Sequence, residues 1–431
     1  MSPEDPPQPP DDRDRPGGDA DPFAALFQAF GVTPGSGIPG LPSMGGSGGQ
    51  DPARQIAMAV ASEGTSEPNV EPVVRMEYES LVRVAELNVA DRTGLTVSRA
   101  GTLGVRPVTR AGWASASVDA YRPYLARMTE MPDDPATGLS AFGPGGIEVV
   151  SDDPTTHPSA DWLSGLVAAM APLMASVTTG TMVGRLATRN LGSYDLPIPR
   201  EGDEILVVAP NVAAFADDWS LPAEDLRLWI CLHEVAHHAV LGVPHLRAVL
   251  VDLLSRHAGA FRNDPSELQE RLGDVDLSGG PEALARLHEV LDPEMVLGAV
   301  RSPEQEELLP RLEALVALVI GYVDHVMDDV GGSLIGSYRQ VTEAVRRRRV
   351  GTGEADRFVE RILGLDLTQD QVDRGTAFVE GVVDRDGADG LARLWSDKRH
   401  LPTPAEVDAP GPVSYTHLRA HETDSYLVCR L

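Results

Sequence analysis

The chain has 431 residues, with 36 Lys and Arg against 65 Asp and Glu, a formal net charge of −29 and two cysteines. That length is ample for a large buried core. The charge argues against a nucleic-acid partner, which needs surplus cations to neutralise phosphate, and against an anionic membrane surface. Two cysteines far apart, Cys231 and Cys429, exclude a disulfide framework.

Residues 1–50 are dense in Pro, Gly and Asp, too polar to offset the entropy of ordering, so a disordered leader is expected there. Within it Phe23–Phe30 (FAALFQAF) reads as a transient hydrophobic cluster or a short amphipathic helix. No charged n-region precedes an apolar run and cleavage site, and with so few cysteines the expected location is cytoplasmic. From Asp51 onward the text is largely helical. Glu77–Leu95 and Ala111–Met128 carry apolar residues at helical spacing. Trp162–Gly184 has no charge, but its Thr, Ser, Gly and Pro content favours a buried helix pair over a membrane span. Glu204–Pro210 (EILVVAP) is the clearest strand, short and β-branched. Leu221–Leu241, Ser266–Leu272, Pro281–Leu291, Pro303–Val330, Gly336–Arg349 and Asp356–Leu363 are all helix-like. In the fourth of these Pro310 is expected to mark the start of the main helix.

Leu221–Leu241 carries the chemistry. Ser220 and Pro222 are expected to start this helix, and Gly242 with Pro244 to stop it. Leu226, Trp229, Ile230, His233, His237, Val240 and Leu241 form one stripe, so His233 and His237 lie a turn apart on the face to be buried. Two imidazoles at i and i+4 can aim a ring nitrogen at one tetrahedral zinc ion, and the intervening Glu234 can act as general base on a zinc-bound water. The bland alternative is a chance pattern on an Ala/Leu-rich helix, with both imidazoles bonded to nearby carbonyls. His238 points away from the pair and His245 follows Pro244 beyond the helix, so both read as packing or surface residues. A second His-Glu-Val at His288–Val290 has Asp292 where another histidine is needed and reads as chance.

LHEVAHH (Leu232–His238), RLEALVALVIGYVDHVMD (Arg311–Asp328), and RRRRV followed by RILGLDL (Arg346–Leu367) resemble the bacterial zincin-like metallopeptidases. These are hydrolases or zinc-dependent metalloproteases, some of them labelled as associated with deazaflavin coenzyme biosynthesis. The resemblance runs from about Asp51 to Pro412. It implies a mainly α, zincin-like α+β domain over 51–412 with a small β element, a zinc site, and a peptide or protein substrate. His233 and His237 match the metal histidines of the pattern and Glu234 its general base. Position 320 departs from it: Ile320 stands where relatives carry Glu, the third ligand, while Asp324 is kept. Three outcomes stay open. Asp324 reaches the metal, Glu313 substitutes, or the site is weak or dead and the chain is an inactive helical scaffold or interaction protein.

Other features carry less. Arg346–Arg349 reads as a solvated helix end, where cations suit the dipole. Cys231 reads as a small buried hydrophobe. Phe142–Gly146 (FGPGG) precedes its strand-like neighbour and cannot cradle phosphate, and GGSGG (Gly45–Gly49) lacks the strand and helix of a nucleophile elbow. Finally, Val413–Leu431 (VSYTHLRAHETDSYLVCRL) resembles the in-frame translation of a sequencing adapter and its flow-cell primer, and is expected not to be native. Setting it aside leaves nine histidines and Cys231.

Overall fold

The computed structural model describes residues 51–129, 175–261, 302–350, 358–365 and 367–409. Phe23–Phe30, Gly45–Gly49, Phe142–Gly146, 161–174, Ser266–Leu272, Pro281–Leu291, His288–Val290 and the tail 413–431 lie outside these residues. In order the elements are α1 (Pro52–Ala61), α2 (Pro72–Thr93), β1 (Gly104–Val108), α3 (Arg110–Leu125) and α4, described over 175–189. There follow β2 (Glu204–Val208), α5 (Ala209–Asp218), α6 (Ala223–Leu241), α7 (Pro244–Gly259), α8 (Pro303–Leu334) and α9 (Tyr338–Val350). The last are α10 (Phe358–Ile362), α11 (Gln369–Leu394) and α12 (Pro404–Asp408). The fold is mainly α, as expected, and the described residues contain one small parallel sheet. β1 pairs with β2 from Gly104 opposite Glu204 to Val108 opposite Val208. Ile205–Val208 are all buried, the continuous apolar run of a strand covered on both faces.

Several boundaries move, each for a physical reason. β2 ends at Val208 because Ala209 and Pro210 open α5, where a proline's missing N–H costs nothing. The zinc-motif helix starts at Ala223, not Leu221: Ser220 turns in the left-handed region (φ 51°) and Pro222 is extended at the N-cap. Gly242 does end that helix, but Pro244 is the first residue of α7 rather than a stop, with a bend of 89° between the two. His245 therefore sits in the first turn of a helix. Pro310 does not start α8, which begins at Pro303. A capping box between Ser302 and Gln305 fixes that start, and Pro310 lies on the exposed side, where the carbonyl it leaves unpaired can meet water. No single described helix is long and apolar enough to cross a membrane. The α6–α7 pair passes only jointly across its bend, and both helices are largely buried in protein. Of the uncharged stretch, the described part from 175 is α4, half to fully buried up to Gly184.

α8 is the central spar, packing on α11, α6 and α7. It meets α11 backbone to backbone at two glycines. A Cβ on Gly321 would lie 2.2 Å from Gly375 atoms, and one on Gly375 would lie 2.0 Å from the Ala317 oxygen. α6 is enclosed rather than striped: every residue from Trp229 to Leu241 is buried, His238 included. Arg227 pairs with Glu77 of α2 at 2.5 Å, Trp229 donates to Thr342 of α9 at 3.1 Å, and Asp225 accepts from Ser337 at 2.6 and 2.8 Å. These ties, from three residues in the first two turns of one helix, fix its rotation.

Candidate active site

His233 and His237 face each other, with ring centroids 4.3 Å apart. The His237 Nδ1 lies 3.0 Å from the His233 carbonyl, and because a carbonyl only accepts, Nδ1 carries the proton. Its Nε2 is therefore left with a lone pair. The Nε2 of His233 is buried with no hydrogen-bond partner. Trp229 stacks on the His233 ring at 4.9 Å, and Tyr194 lies parallel to His237 at 6.1 Å. Burial, with help from His233 and Arg349, holds the His237 pKa well below the usual histidine range, so this imidazole is neutral.

Glu234 is held by a loop that carries no motif in the sequence. Its carboxylate accepts the N–H of Ser193 at 2.6 Å and of Tyr194 at 3.1 and 3.2 Å. It also lies 3.7 Å from the His233 Nδ1. Only glycine fits at position 192, since a Cβ there would sit 2.4 Å from the Glu234 carboxyl carbon. Asp195 closes the loop by accepting the N–H groups of Leu191 and Gly192, both at 2.8 Å, and Trp113 donates to the Gly192 carbonyl at 2.8 Å. The loop borders β2 through an antiparallel bridge between Gly192 and Val207. Burial pushes the Glu234 pKa up, against the lowering by His233 and the Ser193 N–H. The sequence signal was only a turn-like Gly-Ser-Tyr-Asp between apolar runs, which marks a loop but not its target.

A second buried network backs this loop. His238 Nε2 lies 3.4 Å from the Asp203 carboxylate and its Nδ1 lies 2.9 Å from the Tyr194 hydroxyl. Asp203 can only accept, so Nε2 bears the proton and the Tyr194 hydroxyl donates to Nδ1. His238 is thus a buried hydrogen-bonding residue, in keeping with the expectation that it packs rather than ligates. Cys231 is fully buried, and burial raises its thiol pKa far from reactivity.

The third-ligand candidates sit on α8. Ile320 is buried. Asp324, one turn on, is largely buried, no hydrogen bond reaches its Oδ2, and that oxygen lies 3.8 Å from Arg349. Glu313 is half-buried further back along the helix. Among the described residues no group of three or more His, Cys, Asp and Glu side chains is arranged to hold a metal ion. The structure thus brings His233, Glu234 and His237 together, and places Asp324 and Glu313 on the neighbouring α8.

A cavity of about 350 Å³ opens beside His233 and Glu234, walled by Trp229 and Ile230 of α6, by the 189–196 stretch and by the end of α9. The arginine run is only in part a solvated helix end. Arg346 and Arg347 are exposed, whereas Arg348 and Arg349 are half-buried, with Arg348 bonded to Asp195 at 3.2 Å and to the Arg189 carbonyl.

Comparison with known proteins places the chain in a class. A sequence profile of zincin-like metallopeptidases matches residues 50–412, and the chain belongs to that family. A crystal structure from Chloroflexus aurantiacus, provisionally assigned as a hydrolase with a novel fold, superposes with a TM-score of 0.55 at 24% identity. It covers 86% of this chain and 97% of its own, a likeness of fold. No curated protein matches the chain. The family gives the chain a coarse role, that of a metallopeptidase-like hydrolase.

Proposed function

We propose that the protein is a cytoplasmic zinc-dependent hydrolase acting on peptides or proteins, with His233 and His237 as metal donors, Asp324 as the third and Glu234 as general base. One observation carries the reading: two neighbouring buried imidazoles each keep Nε2 clear for a ligand, His237 by spending its Nδ1 proton on the His233 carbonyl. The donors fit zinc in kind, two imidazole nitrogens and one carboxylate oxygen that no hydrogen bond reaches. Zinc bound there supplies Lewis acidity, lowering the pKa of a water and polarising a carbonyl. The chain's own part is to hold His237 in one tautomer through the His233 carbonyl, and to pack the two rings against Trp229 and Tyr194. The Ser193 and Tyr194 N–H groups fix the Glu234 carboxylate beside His233, and burial raises its proton affinity toward that of a working base.

A specific observation favours a second reading, an inactive scaffold. The Glu234 carboxylate is already bonded to two backbone N–H groups, and Arg349 stands against Asp324. Glu234→Gln separates the two. In the hydrolase this change abolishes peptide cleavage while zinc content and thermal midpoint hold. Cleavage that is absent from the zinc-loaded wild type, or unchanged in the variant, overturns the catalytic reading.

A further inference from the structure

The cavity beside His233 has a second chemistry that a metal site does not need. Four of its wall residues are arginines: Arg189 at the end of α4, and Arg347, Arg348 and Arg349 at the end of α9. The wall also holds three acids, and each is already engaged. Asp195 accepts from Leu191, Gly192 and Arg348, Glu360 accepts from Arg189 at 2.8 Å, and Glu234 accepts from Ser193 and Tyr194. Two further acids support the arginines from outside the wall, Asp324 beside Arg349 at 3.8 Å and Glu343 beside Arg347 at 2.7 Å. The Arg347–Glu343 pair is exposed on both sides, a geometry that holds a guanidinium only weakly. Arg189 and Arg348 are built into the wall, the latter also lying over the Phe215 ring at 5.5 Å. In a chain of net charge −29, this concentration of cations faces a space whose apolar lining includes Trp219, Trp229, Leu196 and Leu367. Guanidinium groups above an apolar floor suit an organic anion, and planar carboxylate recognition is their strongest use. The volume lies at the small end of ligand pockets, room for the end of a peptide rather than for a folded partner.

We infer that this cavity binds a peptide through a carboxylate, with Arg347 and Arg349 taking the charge and the tryptophan-lined floor taking an adjoining apolar side chain. The inference rests on the hydrolase reading only in treating the cavity as the substrate site. It names the substrate as a peptide whose carboxylate lies near the bond presented to Glu234.

Calorimetric titration of the full chain in the presence of a chelator tests it, because binding is then read without metal or turnover. The probes are an N-acetylated alanyl-alanyl-phenylalanine with a free C-terminus, its C-terminal amide, an amidated glutamyl-alanyl-phenylalanine, and inorganic phosphate. The free acid is expected to bind about tenfold or more tightly than the plain amide. Binding of the glutamyl amide at a strength near the free acid supports a side-chain carboxylate as the source, and its failure supports the C-terminus. Arg347→Gln and Arg349→Gln should each weaken the favoured probe about tenfold. Arg346→Gln, an exposed neighbour outside the wall, should leave it unchanged. Arg347 is itself well exposed, so its variant keeps the test open if Arg349→Gln fails to fold. Equal affinity for free acid and both amides, binding of phosphate alone, or an equal loss in Arg346→Gln overturns the inference. Carboxylate-dependent binding in a protein that never hydrolyses peptides leaves it standing and removes the hydrolase reading instead.

Discussion

At the scale of single residues, His238 and His237 are adjacent in sequence and opposite in use. His237 spends its proton on a carbonyl one turn back, while His238 bridges Tyr194 and Asp203. Asp203 pays for the bridge with its own ionisation. Burial would raise its pKa, but the Ala100 N–H, the Ser98 hydroxyl, the Arg99 N–H and His238 bring it down to about 2. A carboxylate depressed in the folded state stabilises above its unfolded pKa and ceases to do so as pH falls through its folded one. Asp203→Asn should therefore lower the urea midpoint at neutral pH, with the deficit closing as pH falls from 3.8 toward about 2. A deficit that stays constant over that range would show that Asp203 acts through packing alone. Ile320 poses the matching question for the metal. Ile320→Glu puts a carboxylate into a buried position one turn from Asp324, a costly change unless a cation is bound nearby. The variant should hold more zinc per chain than the wild type and gain thermal stability on zinc addition. Equal stoichiometric zinc in both, by metal analysis, sinks the claim that position 320 matters.

At the scale of elements, α8 and α11 cross where neither has a side chain. A methyl group at Gly375 would meet main-chain atoms of α8, which cannot rotate away, so the helices must part. Gly375→Ala should cost about 1–3 kcal/mol or more, the usual range for overpacking. Gly332→Ala, in the same α8 but with nothing within 4 Å, should be neutral or stabilising by up to about 1 kcal/mol. Urea unfolding of both variants reads the contrast, and similar midpoints would mean that the crossing is loose. The same crossing explains why α11 leaves so faint a trace in the sequence. Its run of Gly and Asp reads as a string of breakers, and only the partner helix gives Gly375 a reason to be there. One of those breakers is real, since Gly387 interrupts the helix at φ 62°. β1 is hidden for a related reason. Arg106 and Pro107 are poor strand residues, tolerated because among the described residues β1 pairs along only one side, with β2.

For the molecule as a whole, what local period records is legible and what distant contacts decide is not. The helical class, β2 and the His233–Glu234–His237 constellation follow from spacing within one element. α6 was expected to bury a stripe, yet α2, α5, α7, α8, α9 and β2 enclose it, and no periodicity within nineteen residues announces six neighbours. The arginines at the end of α9 form a uniform run in sequence, but about 100° of rotation per residue sends Arg346 and Arg347 outward and turns Arg348 and Arg349 in. The Glu234 clamp is likewise invisible, because its donors are backbone N–H groups some forty positions away that any residue type but proline could supply.

Asp195 belongs to two structures at once, since it ties off the loop whose N–H groups grip Glu234 and it anchors Arg348 in the cavity wall. A single substitution there, Asp195→Asn, therefore reaches the Glu234 loop and the arginine wall together, although Asp195 touches neither histidine of the motif.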